Sequence, residues 1–240
     1  MMIAIWGKDG TGKSTLADTL GLSTVRQKGL ALIIDTDTTQ PTLTGRVPIE
    51  KHKQNGSIGR LLASPSVSDV IGTFHQHPKH EGLFFAGTTC ADNYLSFESG
   101  MEQSAIASEY IQQCKAQMDT IIVDCSGQKD DPFVPVSLMQ ANKILLLFSA
   151  TVEGVAWVLS IHPLLERLGV MEKIQFIASQ VYKHQDVRAV EKTLSRKVYS
   201  LPFIRSLHQL RCECGIPTDG KYYRLVISLV REKTVNGGGA

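Results

Sequence analysis

A single α/β domain is what this chain of 240 residues predicts, with one mostly parallel sheet of about seven strands and helices on both faces. Three observations carry that prediction. Short apolar runs alternate with longer stretches of helical periodicity. The runs lack the polar alternation of a half-exposed strand, so both of their faces are covered. A glycine-rich loop then joins the first run directly to the first helical stretch.

In chain order, Met2-Ile3-Ala4-Ile5-Trp6 is the first strand, and a helical pattern over 14–28 follows, closed by Gly29. Residues 30–34 form the second strand and end in Asp35. The stretch 36–82 is the least regular, rich in Thr, Gly, Ser, Pro and His, and reads as an extended excursion with one or two short helices. Further strands fall at 83–86, 120–123, 144–148 and 174–178, with helices over 101–118, 153–168 (closed by Gly169) and 186–196. A last helix over 221–233 puts Tyr222, Leu225, Val226, Leu229 and Val230 on one face, which suits packing on a core better than anchoring in a membrane. Residues 1–233 are thus expected to form the domain and 234–240 a disordered tail.

Composition bounds the function. Hydrophobic residues make up 42% and charged residues 20%, which supports a sizeable core and excludes wholesale disorder. Nowhere do ~18 apolar residues run without a charge, so no transmembrane helix is expected. The first twelve residues do not read as a signal peptide. Five unevenly spaced cysteines make no disulfide framework and suit a reducing cytosol, so a cytoplasmic location is expected. The net charge of +2 hides a gradient: from Val181 onward eleven basic residues face five acidic ones. That balance suits either a polyanionic partner, such as DNA or an acidic membrane surface, or a solvated charged face.

The most informative residues are Gly7-Lys8-Asp9-Gly10-Thr11-Gly12-Lys13-Ser14-Thr15. Gly7 through Ser14 satisfies G-x-x-x-x-G-K-[ST], the phosphate-binding loop. A buried strand delivers the loop, glycines let backbone N–H groups converge on phosphate oxygens, and a helix starts at 13–15 with its positive end facing the anion. Lys13 can then reach the β/γ-phosphates, Ser14 can ligate Mg²⁺ and Thr15 is expected near the α-phosphate. Downstream, Thr120-Ile121-Ile122-Val123-Asp124 is a buried strand ending in a carboxylate that can hold Mg²⁺.

Lys8, five residues ahead of Lys13, makes the loop resemble the deviant Walker A motif of the MinD/ParA group of ATPases, with Asp9 in place of a usual glycine. The run from Leu32 to Pro41, containing Asp35-Thr36-Asp37, looks like that family's second-strand end, and Asp124 looks like its Walker B aspartate. Pro202-Phe203 and the later Gly215-Ile216-Pro217 resemble the stretch that packs beside the base, whereas Ala178-Ser179-Gln180 replaces a usual asparagine. The resemblance implies a slow, partner-stimulated ATP hydrolase. Its nucleotide site would comprise Lys8, Asp9, Gly10, Thr11, Gly12, Lys13, Ser14, Thr15, Pro202 and Phe203. Mg²⁺ would be supported by Ser14, Asp35 and Asp124, and catalysis by Lys8, Lys13 and Asp37. Lys8 would cross to the partner's phosphates in an ATP-bound homodimer, and Asp37 would orient the attacking water unless it only caps a turn. The output would be spatial: partitioning DNA, or positioning a polar or membrane-associated apparatus such as a pilus or flagellum.

Other constellations open alternatives. Cys212-Glu213-Cys214 would suit an ATP-dependent metallocentre-maturation chaperone, although two cysteines so spaced on a helix face different ways. A nucleotide-binding scaffold with little turnover is the third reading. His75, His77 and His80 read as a solvated loop, and Cys125 as a small residue at a strand end.

Overall fold

The computed structural model describes residues 1–47, 56–63, 69–92, 101–128, 131–213, 215–218 and 220–231. The chain opens with β1 (Met2–Gly7), α1 (Lys13–Arg26) and β2 (Ala31–Asp35). The excursion holds α2 (Leu43–Arg46), α3 (Ile58–Leu62), β3 (His75–Gln76) and β4 (Leu83–Gly87). Then come α4 (Met101–Gln117), β5 (Thr120–Asp124), α5 (Phe133–Gln140), β6 (Lys143–Ser149), α6 (Val152–Arg167), β7 (Ile174–Val181), α7 (Val187–Leu194), β8 (Val198–Pro202), α8 (Arg205–Cys212) and α9 (Gly220–Arg231). The expected tail at 234–240 lies outside the described residues.

Among the described residues the sheet has eight strands in the order β3-β4-β2-β5-β1-β6-β7-β8. Of the pairs these make, only β3–β4 is antiparallel. Every residue of β1, β2 and β5 is buried, as continuous apolar runs require. Successive residues serve opposite faces: Ala4, Trp6, Leu32, Ile34 and Val123 join one core, and Ile3, Ile5, Ile33 and Ile122 the other. α4, α5 and α6 cover the first face, while α1 and α9 cover the second. Tyr222, Val226 and Leu229 of α9 belong to that second core, so the last helix packs inward as its stripe predicts. Among the described residues no helix is long and apolar enough to cross a membrane.

Several details differ from the sequence reading, in which strand β8 and helix α8 have no counterpart. A second added strand is the two-residue β3, and its pairing to β4 draws the histidine stretch inward. His75 and His77 are buried, His75 Nε2 lies 2.9 Å from the Gly56 carbonyl, and His77 stacks on His80 at 4.7 Å. His75 and His77 are therefore not solvated, whereas Pro78 and Lys79 are exposed in the turn that follows; burial holds both His77 and His80 below the ordinary imidazole range. The first helix ends at Arg26, and Lys28 (φ 65°), not Gly29, takes the left-handed turn. Finally α5, apolar on nearly every side, was hidden by its composition. Asp131 Oδ1 accepts the Phe133 N–H at 2.8 Å to start it, and Pro135 falls in its first turn, where a missing N–H costs nothing.

β1 sits between β5 and β6, with β2 beyond β5. Connections leave β1 toward one side of the sheet and later return to the other. The carboxyl ends of β1, β2 and β5 therefore meet at a topological switch point, where open α/β sheets bind their ligands.

Candidate nucleotide-binding site

The loop leaves β1 at Gly7, where an added Cβ would stand 2.1 Å from the Leu147 carbonyl oxygen, so only glycine fits against β6. Gly12 sits at φ 87° and precedes the first residue of α1. With no side chain to cap the helix, its first-turn amides face the cleft for an anion. Lys13 is buried, and its Nζ donates to the Gly7 carbonyl at 3.0 Å, the Lys8 carbonyl at 3.2 Å and Asp9 Oδ1 at 3.2 Å. Asp9 thus pairs with Lys13, not with its neighbour Lys8. The Asp9 side chain is 70% exposed, so solvent screens this pair to a small contribution.

Asp35 and Asp124 end β2 and β5 and stand opposite each other in the register. Burial first, then the Asp35 charge, pushes Asp124 up to about 6, against the opposing pull of Arg46 and the Ser14 hydroxyl that donates to it. Burial likewise raises Asp35, opposed by Arg46 and by the Thr42 hydroxyl donating at 2.5 Å. These are hard oxygen donors of the kind Mg²⁺ takes. Among the described residues no three His, Cys, Asp or Glu side chains converge on one metal position. An ion here would therefore complete its shell with phosphate oxygens and water, as Mg²⁺ in nucleotide sites does.

A pH dependence follows. Between 3.8 and about 6 the folded chain holds a proton on Asp124 that the unfolded chain has lost, so its contribution to stability falls as pH rises through that window. Relative to the parent, Asp124→Asn should therefore gain stability as the pH rises from 4 to 7. Urea unfolding in chelator without nucleotide measures this, and a pH-independent difference between the two proteins would contradict it.

Asp37 lies beyond the β2 end. Its Oδ1 accepts from the Thr39 N–H at 2.9 Å, the Thr39 hydroxyl at 2.8 Å and the Gln40 N–H at 2.9 Å. This is the turn-capping arrangement, and the same carboxylate also lines the cleft. Thr36 pins the segment beneath it: its hydroxyl donates to Asp131 Oδ2 at 2.7 Å and accepts the Ser126 N–H at 2.9 Å.

A cleft of about 320 Å³ joins these groups. Asp9, Gly10, Gly12, Lys13, Ser14, Thr15, Asp35, Asp37 and Asp124 line one end, and Pro202, Phe203, Ile204, Leu207 and Tyr222 line the other. The polar end matches a triphosphate and the apolar end a base. Of the residues read from the sequence, Lys8 and Thr11 lie outside this lining. The Lys8 side chain is exposed, while Thr11 is buried with its hydroxyl on the Lys8 carbonyl at 2.7 Å. Gln180, in the stretch that replaces the family's usual asparagine, takes φ 54° and donates from Nε2 to the Gly10 carbonyl, tying the end of β7 to the loop. Arg46, Asp18 and Thr42, which also shape the site, were not singled out in the sequence. For Asp18 and Arg46 the sequence signal is a charge inside an otherwise core-facing segment, as Asp18 is in α1, and Thr42 carries none.

Cys125 is fully buried, and burial followed by the charges of Asp131 and Asp124 pushes its thiol well up, so it stays protonated and inert. Cys212 is an exposed free thiol at the end of α8, and Cys214 lies outside the described residues.

A parallel sheet whose first strand feeds this loop, with two carboxylates at adjacent strand ends, defines a P-loop nucleotide-binding domain. The chain belongs to the AAA domain family, whose model matches residues 1–173. Its fold is that of the MinD/ParA ATPases. It is similar to a putative plasmid partition protein from Borrelia burgdorferi B31 bound to AMPPNP, at TM-score 0.79 and 17% identity over 95% of this chain and 97% of that one. It is also similar to the cell division ATPase MinD of Pyrococcus furiosus, at TM-score 0.76 and 17% identity over 96% and 98%. Apo McdA from Cyanthece gives TM-score 0.72 and 17% identity over 96% and 100%. No curated protein matches the chain in sequence.

Proposed function

We propose that this chain is a Mg²⁺-dependent ATPase that works as a nucleotide-switched homodimer in spatial positioning or partitioning. The observation that carries this reading is the cleft in which Lys13, the α1 N-terminus, Ser14, Asp35 and Asp124 meet. Lys13 exchanges its loop carbonyls for the β/γ-phosphates, and the α1 amides take the remaining phosphate oxygens. Ser14, Asp35 and Asp124 hold Mg²⁺, which neutralises phosphate charge when bound. Asp37 orients the attacking water, and Pro202 and Phe203 flank the base. Lys8, exposed at the loop's outer side, reaches the phosphates bound by a second copy. The plasmid-partition and cell-division names of the similar structures support a positioning role.

The basic C-terminal quarter offers a surface for nonspecific duplex DNA. Lys183, Arg188, Lys192 and Lys197 are exposed and Arg196 is half-buried, on and around α7. With ATP and Mg²⁺ the protein should dimerise and be retained on DNA at low salt, and retention should fall steeply as salt rises because phosphate contacts release counterions. Retention that survives charge reversal at all five positions would reject this surface. Absence of retention at low salt would reject DNA as the partner.

A further inference from the structure

Arg46 carries a charge that the nucleotide reading leaves unused. It closes α2, and its side chain is only 6% exposed. Nη2 donates to Asp18 Oδ1 on α1, while Nη1 lies 3.5 Å from Asp35 Oδ2 and 3.5 Å from Asp124 Oδ2. The Phe85 ring of β4 lies under the guanidinium, 4.8 Å from Cζ to its centroid. Nε is buried with no hydrogen-bond partner among the described residues.

The two sides of the guanidinium are held unequally. Charge-assisted N–H···O bonds run about 2.7–2.9 Å. The Asp18 contact is close, but Nη1 is shared between two carboxylates and seated on neither. Those two carboxylates are the pair assigned above to the metal. Mg²⁺ takes its oxygen ligands at about 2.0–2.1 Å. A guanidinium nitrogen facing the same two Oδ2 atoms would repel an ion held by them, and burial makes that repulsion stronger than it would be in water.

We propose that Arg46 is a resident counter-cation of the metal site. Nη1 faces the Oδ2 atoms of both Asp35 and Asp124 and competes with an ion for them. When a metal–nucleotide complex binds, Arg46 withdraws onto Asp18, which already holds its other nitrogen, and takes the end of α2 with it. Thr42, the residue before α2, spends its hydroxyl on Asp35 Oδ2 and gives α2 no side-chain cap, so both ends of this short helix are tied to the metal ligands. Occupancy of the site is thereby transmitted to α2. The inference rests on the metal–nucleotide reading above.

The test uses Mn²⁺ as a paramagnetic probe, titrated at constant ADP into the parent, Arg46→Gln, Asp18→Asn and the double variant, with free Mn²⁺ read by electron paramagnetic resonance. Arg46→Gln should bind Mn²⁺ about tenfold more tightly than the parent. Asp18→Asn should weaken binding severalfold in the parent background and far less in the Arg46→Gln background, because the retreat Asp18 offers matters only while Arg46 is present. Equal affinities in the parent and Arg46→Gln overturn the proposal, as does an Asp18→Asn effect of the same size in both backgrounds. Mn²⁺ bound by none of the four, with ADP still bound, overturns the metal reading itself and the proposal with it. Should Arg46→Gln fail to fold, the parent labelled with ¹⁵N-arginine carries the test. The Arg46 Nε–H resonance should move as Mg²⁺ is added at constant ADP, and a resonance unmoved through saturation overturns the withdrawal.

Discussion

Replacing Lys13 by alanine should abolish ATP binding at working concentrations, a loss of at least roughly 100-fold in affinity. The lysine stands buried at the centre of the loop, with its ammonium satisfied by the Gly7 and Lys8 carbonyls and by Asp9. A polyphosphate exchanges those partners for stronger, fully charged ones at little reorganisation cost, since the side chain is already aimed into the cleft. Without it the phosphates meet amides but no full positive charge from this residue, and truncating one partner of a desolvated charge pair costs ~2–5 kcal/mol. The fold should survive, because all three contacts are local to the loop. Calorimetry with Mg²⁺ and ATP measures the loss, with circular dichroism as the control for folding. Undiminished affinity would sink the assignment of this loop to phosphate binding.

Asp37 and Lys8 should separate hydrolysis from dimerisation. Asp37→Asn is the informative change, because the asparagine oxygen still accepts the Thr39 and Gln40 N–H groups that shape the turn, while the negative charge is lost. ATP binding should persist and hydrolysis should fall by ~10²–10⁴, the usual span for removing a group that positions or activates the nucleophile. The ATP-bound dimer should then accumulate. Lys8→Ala should bind ATP as a monomer and neither dimerise nor hydrolyse efficiently, since Lys13 already occupies the in-chain approach and the exposed Lys8 side chain serves from outside. Light scattering of the parent and both variants with ATP and Mg²⁺ decides. A parent that turns over ATP while monomeric defeats the switch, and so does a Lys8→Ala variant that dimerises normally.

The phosphate loop could be read from the sequence because its geometry is local. Gly7 to Ser14 are contiguous, so spacing alone fixes where the amides, the lysine and the hydroxyl fall once a strand precedes and a helix follows. The buried strands were equally plain, since a run such as Thr120–Val123 with no polar alternation has only one comfortable place, between two covered faces. The Asp35 and Asp124 ends followed from those strands.

What tertiary structure decided is everything assembled across long separations. Arg46 meets Asp124 from 78 positions away and Asp18 from 28, and only the strand order and the path of the excursion bring them to one point. The histidines at 75 and 77 are polar in sequence yet buried in fact, because β3 pairs with β4 and takes them with it. Gln180 reaches Gly10 across 170 positions for the same reason. Periodicity and motif report what a residue's own neighbours impose, whereas a buried charge is tolerated only where distant partners converge on it, and that convergence belongs to the sheet.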